Sequence, residues 1–254
     1  MSKNQPFFSI IIPSFNQGRY LDDCISSIIN QKYTSWEIIV IDGGSTDNSL
    51  NVIQKYSKYI KYWQSEPDGG QSNAINIGLA HSSGRLVGWL NSDDIFYEDC
   101  LEKISKKYSK KFSIYYNRNI DIIDKDGKFL RKACMGKADK KSIINNNNTI
   151  IQPGSFYDAE IMRNIGGVDK NLKYSMDLDL WIRLLRFGEA CECGGEYSFS
   201  AYREWEDTKT LTGGLYLCQE RLEMLKKHGI SKMSKAFLKI VFNIIRIKIS
   251  GVKK

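Results

Sequence analysis

Between residues 7 and 94, short β-branched runs alternate with stretches whose apolar residues recur at helical spacing, and this alternation leaves few folds open. Residues 8–12, 37–41, 60–63 and 85–90 read as strands. Residues 20–31, 46–56 and 71–80 read as helices, the first with Leu21, Cys24, Ile25, Ile28 and Ile29 along one face. Strand and helix at this tempo make βαβ units, in which each crossover helix returns the chain to the same edge, so that the strands pair in parallel. The strands are apolar on both faces, as a sheet covered by helices on both sides requires. The expected fold class is α/β with a mainly parallel sheet.

Beyond Asp94 the pattern changes. A helix is expected over 97–108, then a hairpin of 119–123 and 128–133 turning at Asp124-Lys125-Asp126-Gly127. A polar loop follows at 145–148, a strand at 152–157, an amphipathic helix at 177–187 and a helix at 214–227 that ends before Gly229. No Pro/Gly/Ser linker and no internal repeat interrupts the chain. The expectation is one domain over residues 1–230, made of halves 7–94 and 95–230, with a tail at 231–254.

Ligands of an open parallel sheet sit beyond the carboxyl ends of its strands. The first strand leaves through Pro13-Ser14-Phe15-Asn16-Gln17-Gly18, and the second through Asp42-Gly43-Gly44-Ser45-Thr46-Asp47. The third is followed by Glu66-Pro67-Asp68-Gly69-Gly70, and the fourth by Asn91-Ser92-Asp93-Asp94. Each exit has a plain structural reading. Ser45 or Thr46 fits a helix cap, Asp68-Gly69-Gly70 a turn, and Asp93 or Asp94 a helix start. Polar exits at four successive strand ends, three of them with carboxylates, favour a shared site. A nucleotide suits it: a base offers an imide to a carboxylate, and a divalent cation can bridge a diphosphate to acidic side chains. The chain has no Gly-x-Gly-x-x-Gly after a strand and no Gly-Lys-Ser/Thr phosphate loop.

Three of these segments, Ser9-Ile10-Ile11-Ile12-Pro13-Ser14-Phe15-Asn16, Ile39-Val40-Ile41-Asp42-Gly43-Gly44-Ser45-Thr46-Asp47 and Gly88-Trp89-Leu90-Asn91-Ser92-Asp93-Asp94, closely resemble family-2 glycosyltransferases of the GT-A fold. The likeness continues through Gly166-Gly167-Val168-Asp169 and Tyr174-Ser175-Met176-Asp177-Leu178-Asp179-Leu180-Trp181-Ile182-Arg183, and so covers about residues 7–227. The resemblance implies a Rossmann-like nucleotide-binding sheet, a nucleotide-diphosphate sugar donor with UDP favoured, a divalent metal (Mn²⁺ or Mg²⁺) and inversion at the anomeric carbon. It assigns Asp42 to base recognition, with Pro13, Phe15, Asn16, Asp68 and Ser92 also on the nucleotide. Asp93, with Asn91 and Asp94 beside it, is assigned to the metal. Asp177 is assigned to deprotonating the acceptor hydroxyl. The acceptor is expected to be a glycan or lipid-linked glycan of a bacterial surface polysaccharide or glycolipid. Asn117, Arg118, Gln152 and Tyr157 are placed on the acceptor side.

Helical spacing separates the roles of two neighbouring acids. Asp177 and Asp179 point to different sides of one helix, and Asp179 lies four residues before Arg183, a spacing for an ion pair. Two departures from the family pattern stand out. Asn91 replaces the first carboxylate of an Asp-x-Asp motif and brings an amide oxygen without charge. Trp205, in Tyr202-Arg203-Glu204-Trp205, stands where relatives carry a histidine, and is open to two readings: a ring stacked on a sugar of the acceptor, or a partly buried aromatic.

The 254 residues carry 37 basic and 29 acidic side chains, a formal net charge of +8. Seven of the basic residues and none of the acids fall in 231–254, so residues 1–230 balance at 30 against 29. The basic character belongs to the tail, which removes the reason to expect nucleic acid as partner. There Lys232, Lys239, Arg246 and Lys253 recur every seven positions among many Ile, Val, Leu and Phe residues, too interrupted by charge for a membrane span. A basic amphipathic helix on an anionic membrane is one reading, and a helix packed on the body or a second copy is the other. The first apolar run is broken by Pro13, too early for an export signal, and six scattered cysteines are expected to stay reduced. The expected location is cytoplasmic, with a peripheral seat on the inner face of the cell membrane. The alternatives carried forward are an inactive GT-A-like nucleotide binder and a basic nucleic-acid-binding protein.

Overall fold

The structure, a computed structural model, describes residues 6–139, 141–143, 150–206 and 213–250. The loop expected at 145–148 lies outside them, as do Lys253 and Lys254.

Strands β1 (Phe8–Ser14), β2 (Trp36–Asp42), β3 (Ile60–Ser65) and β4 (Leu86–Trp89) pair in parallel in the order β4-β1-β2-β3. The register runs from Phe8 opposite Trp36 to Ser14 opposite Asp42, so the exits of β1 and β2 leave side by side. Helices α1 (Gly18–Ile29), α2 (Ser49–Lys55) and α3 (Gln71–His81) are the crossovers. All of β1 is buried, and its alternate residues feed different cores. Ile10 and Ile12 pack with Leu21, Cys24, Ile25 and Ile28 of α1, whereas Ile11 packs with Ile75 and Leu79 of α3. Gly78 is what lets α3 lie so close: a Cβ there would sit 2.4 Å from Ile11 Cγ2.

The sheet grows past β4 through β9 (Phe156–Asp158), β6 (Phe112–Tyr116) and β10 (Glu189–Glu192), with β9 antiparallel to both neighbours. The strand expected at 152–157 is therefore shorter and later, because Ser155 N–H closes a turn onto the Gln152 carbonyl. A second sheet runs β5-β11-β7-β8, with β5 (Ile95–Phe96), β7 (Asn119–Ile123), β8 (Phe129–Cys134) and β11 (Ser200–Arg203). β7 and β8 form the expected hairpin: Asp124 Oδ1 accepts from the N–H groups of Asp126 and Lys128, and Gly127 takes φ +83°. The helix expected at 97–108 is α4 (Cys100–Ser105), shortened by β5 ahead of it.

Helices α5 (Ala159–Asn164), α6 (Met176–Leu184) and α7 (Gly214–Lys227) follow, and α8 (Lys235–Ser250) packs on α7. The expected pair on α6 forms, with Arg183 Nε donating to Asp179 Oδ2 at 2.7 Å. No helix among the described residues is long and apolar enough to cross a membrane.

Candidate active site

The exits of the parallel strands surround a cavity of about 680 Å³, within the range of small-molecule sites. Pro13 lies near the end of β1 and Phe15 follows that strand, Gly43 follows β2, and Asp68 and Gly70 come from the loop before α3. Asn91, Ser92 and Asp93 follow β4, Gln152 precedes β9, Asp177 opens α6, and Tyr202 and Trp205 come from β11 and the residues after it. β1 and β4 flank the point where the strand order reverses, which is where such sheets bind ligands.

On the first-half side, Phe15 lines the cavity and is 60% exposed. Asp68 Oδ1 accepts from Gly70 N–H at 2.7 Å, which bends the loop so that Gly69 and Gly70 both take positive φ. Gly43 faces that carboxylate so closely that a Cβ would come within 3.2 Å of it.

Asn16 and Asp42, expected at the nucleotide, are not part of the cavity wall. Asp42 is fully buried, and its carboxylate accepts from Ser45 N–H and from the hydroxyls of Ser45 and Ser65. Asn16 holds φ +53° while its side-chain oxygen accepts from Thr46 N–H at 2.9 Å and its own N–H donates to Ser45 Oγ. Both residues lace the loops after β1 and β2 together. Ser45 and Thr46 consequently cap no helix. Asn48 is the N-cap of α2, and Asp47 ahead of it accepts from the N–H groups of Ser49 and Gly18, the first residues of α2 and α1.

At the end of β4 the three residues assigned to the metal separate. Asp93 lines the cavity, and its Oδ2 accepts from Trp205 Nε1 at 3.0 Å. Asp94 is fully buried and lies off the cavity wall: Arg203 N–H donates to its Oδ1 at 3.0 Å and Asn91 Nδ2 to its Oδ2 at 3.1 Å. Burial, and then the charge of Asp93, raises its carboxyl well above the ordinary range despite those bonds. Asn91 lines the cavity, but its Oδ1 accepts from Gln71 Nε2 at 2.7 Å, and Nδ2 also reaches Gln152 at 3.3 Å.

Among the described residues, no group of three or more His, Cys, Asp or Glu side chains converges as a metal cage. The donor set fits a divalent cation of the kind held by one carboxylate together with substrate phosphates. Asp93, at the exit of β4, is the carboxylate that would hold it.

Arg203, Tyr20 and Gln71 carry structure that the sequence reading left unassigned. Arg203 is 2% exposed and fans out behind the site. Its Nε donates to the Asp93 carbonyl at 2.9 Å, Nη1 to the carbonyls of Asp124 and Lys125, and Nη2 to Asp23 at 3.1 Å. The guanidinium lies 4.8 Å from the centre of the Tyr20 ring, against which Trp205 is tilted at 5.7 Å. An arginine at the end of the short strand Ser200–Arg203 carries no local signal that it would be buried. Arg19, in the first turn of α1, pairs with Asp126 at the surface and lies off the cavity wall.

On the other wall, Gln152 donates from Nε2 to the Trp89 carbonyl at 2.7 Å. Three residues placed on the acceptor side lie elsewhere. Asn117 donates to the Tyr197 carbonyl, Arg118 to the Met135 carbonyl, and Tyr157 is fully buried beside Ser155 and Trp181. Asp177 sits in the first turn of α6, where the helix dipole favours the charged form, yet burial outweighs this and raises its carboxyl above the ordinary range. The positive charge of Arg221 on α7 acts against that rise.

The sequence profile described as Glycosyl transferase family 2 matches residues 9–166. An uncharacterized glycosyltransferase of Rickettsia felis is 33% identical over 195 residues, which cover 71% of this chain and 32% of that protein. This chain thus spans about a third of that relative's length. The putative teichuronic acid biosynthesis glycosyltransferase TuaG of Bacillus subtilis is 29% identical over 239 residues, covering 89% of this chain and 93% of TuaG.

Among solved structures, S. aureus TarS 1-349 in complex with UDP-GlcNAc superposes with a TM-score of 0.64 at 16% identity, over 96% of this chain and 72% of that one. The mannosyltransferase PcManGT of Pyrobaculum calidifontis, in complex with GDP-Man and Mn²⁺, gives 0.66 at 12% identity, over 98% and 74%. The profile match over residues 9–166 and the shared architecture show that the chain belongs to glycosyl transferase family 2 and has the GT-A fold.

Proposed function

We propose that the cavity binds a nucleoside-diphosphate sugar and that the chain transfers the sugar, with inversion, to an acceptor hydroxyl. The observation that carries this reading is that Asp93, after β4, and Asp177, opening α6, line one cavity. Pro13, Phe15, Asp68 and Ser92 hold the nucleotide, while Asn16 and Asp42 brace the loops that shape its pocket. Asp93 holds the divalent cation, with Asn91 and Asp94 setting the loop rather than ligating. When bound, the cation supplies positive charge opposite the leaving diphosphate. Asp177 accepts the proton of the acceptor hydroxyl as its oxygen attacks the anomeric carbon, and the bond to the diphosphate oxygen breaks on the opposite face. Gln152 and Trp205 border the acceptor.

The TarS complex with UDP-GlcNAc supports UDP as the nucleotide, and the name of TuaG supports surface polysaccharide synthesis. A lipid-linked acceptor and a peripheral seat on the inner face of the cell membrane belong to the same proposal. One observation favours a second reading, a nucleotide binder without turnover: the amide oxygen of Asn91 is already engaged by Gln71.

A panel of nucleotide sugars with Mn²⁺ or Mg²⁺, scored by titration calorimetry for binding and by release of the nucleoside diphosphate for turnover, tests both readings. Turnover of one donor is the expected result. Binding without release supports the second reading, and failure to bind any donor overturns both.

A further inference from the structure

Helix α8 carries two apolar faces, and the body covers one of them. Ala236, Phe237 and Ile240 are buried in the core shared with α7, and Val241, Ile244 and Ile247 are partly buried against it. At 3.6 residues per turn, Leu238, Phe242, Ile245 and Ile249 form a separate stripe along the helix. Every one of these four is exposed, Phe242 by 64% and Ile249 by 81%. Lys235, Lys239 and Arg246 are exposed along one border of this stripe, and Lys248 is exposed on the other side. No acidic residue occurs from 231 onward. An apolar band more than two helical turns long, rimmed by one sign of charge, is an interaction surface rather than scattered exposure.

We propose that this stripe seats on an anionic lipid bilayer. Helix α8 lies in the plane of the interface, its stripe enters the acyl boundary, its cations meet lipid phosphates, and its other face stays packed on α7. Charge selects the occupant. A second copy meeting the same face across a two-fold axis would bring the two basic rims together, whereas an anionic surface neutralises them.

This rests on the transferase reading for its consequence. Helix α7 carries Glu220, whose carboxylate accepts the N–H groups of Lys173, Tyr174 and Ser175 just ahead of α6, and Arg221, whose charge acts on Asp177. The docking helix is thus one helix removed from the wall that carries the acceptor base, a placement suited to an acceptor borne on a lipid.

Cosedimentation of the full chain with vesicles tests the proposal, using phosphatidylcholine alone or mixed in equal parts with phosphatidylglycerol. Pelleting with the anionic vesicles, weakened by added salt, is the expected result. Lys239→Gln with Arg246→Gln lowers partitioning by about thirtyfold if each cation contributes as a typical interfacial charge. Phe242→Ser with Ile245→Ser lowers it by more than about tenfold through lost apolar insertion.

Equal pelleting of these variants and the unsubstituted chain overturns the proposal, and so does equal pelleting with both vesicle types. A vesicle-indifferent dimer that Phe242→Ser with Ile245→Ser dissociates also overturns it, in favour of a second copy. Donor turnover measured on the same samples keeps the two readings apart. Turnover without vesicle binding overturns the docking surface and the peripheral seat but leaves sugar transfer standing, and vesicle binding without turnover supports the surface while removing the transferase reading.

Discussion

The indole N–H of Trp205 donates to Oδ2 of Asp93 at 3.0 Å, so an aromatic side chain two residues past β11 holds the one carboxylate of the β4 exit that lines the cavity. The tilted contact with Tyr20 holds the ring, and Arg203 beneath holds both the Asp93 carbonyl and Tyr20. Where the family resemblance expects an imidazole, this chain supplies a donor that orients Asp93 instead of a ligand for metal.

Trp205→Phe keeps the ring contact and removes the donor. Loss of one hydrogen bond to a charged group is worth about 1.5–3 kcal/mol, which corresponds to a fall of roughly ten- to a hundredfold in kcat/KM. Nucleotide release from the best donor measures it, and Trp205→His should recover part of the loss. A thermal midpoint shared by the variants and the unsubstituted chain separates this from unfolding. Unchanged kcat/KM in Trp205→Phe would show that the bond orients nothing that matters to transfer.

Asp177→Asn keeps the shape of the α6 start and removes the base. General-base catalysis contributes about a hundred- to ten-thousandfold, so transfer should fall by that order while donor affinity stays within about twofold. Titration calorimetry with the donor nucleotide and single-turnover assays check the two halves separately. Comparable turnover in this variant sinks the assignment.

The acid limb of activity should report the same carboxylate. Burial raises the Asp177 carboxyl and Arg221 opposes the rise, while Glu220 adds to it. Because the base acts only when deprotonated, activity is lost as pH falls through this raised pKa. Removing the opposing charge in Arg221→Met should move the limb of kcat/KM to higher pH. A profile of nucleotide release against pH decides the matter, and an unmoved or lowered limb contradicts the link.

The parallel sheet was legible because β-branched runs and helical spacing are local signals, and all four strand exits do meet at one cavity. What stayed hidden was the direction in which each exit residue points. Asp42 and Asp68 look alike in sequence, yet Asp42 is consumed by Ser45 and Ser65 while Asp68 faces the cavity. Asp93 and Asp94 are adjacent and diverge for the same reason: the N–H of Arg203, distant in sequence, draws Asp94 inward. Such choices depend on hydrogen bonds between residues far apart in the chain, 109 positions for Asp94 with Arg203 and 112 for Asp93 with Trp205, and no local pattern contains them. The bounds of β9 depart from the expected 152–157 for a different reason, since three residues are too few to show a period. The two faces of α8 were mixed in the sequence reading because both are apolar, and only packing on α7 tells them apart.

Asp179 anchors the opposite side of α6 and supplies a stability prediction independent of catalysis. It is 1% exposed, with Arg183 Nε at 2.7 Å on Oδ2 and His228 Nε2 at 2.8 Å on Oδ1. Arg186 faces His228 Nδ1 at 3.2 Å, and a bond donated to that nitrogen leaves Nε2–H to donate to Asp179. Burial alone would raise this carboxyl, but the bond from His228 and the charge of Arg183 together hold it below the ordinary range. A carboxyl lowered on folding stabilises the protein above its unfolded pKa, near ~4, and that contribution is lost as pH falls toward the folded value. Asp179→Asn removes the charge and leaves its buried partners unmatched, at a cost of about 3 kcal/mol at neutral pH. Urea unfolding of both proteins at pH 7 should show that gap, and repeating it in steps below about pH 4 should show it closing as Asp179 takes up its proton in the unsubstituted chain. A gap that stays constant with pH would mean that shape, and not charge, makes Asp179 necessary.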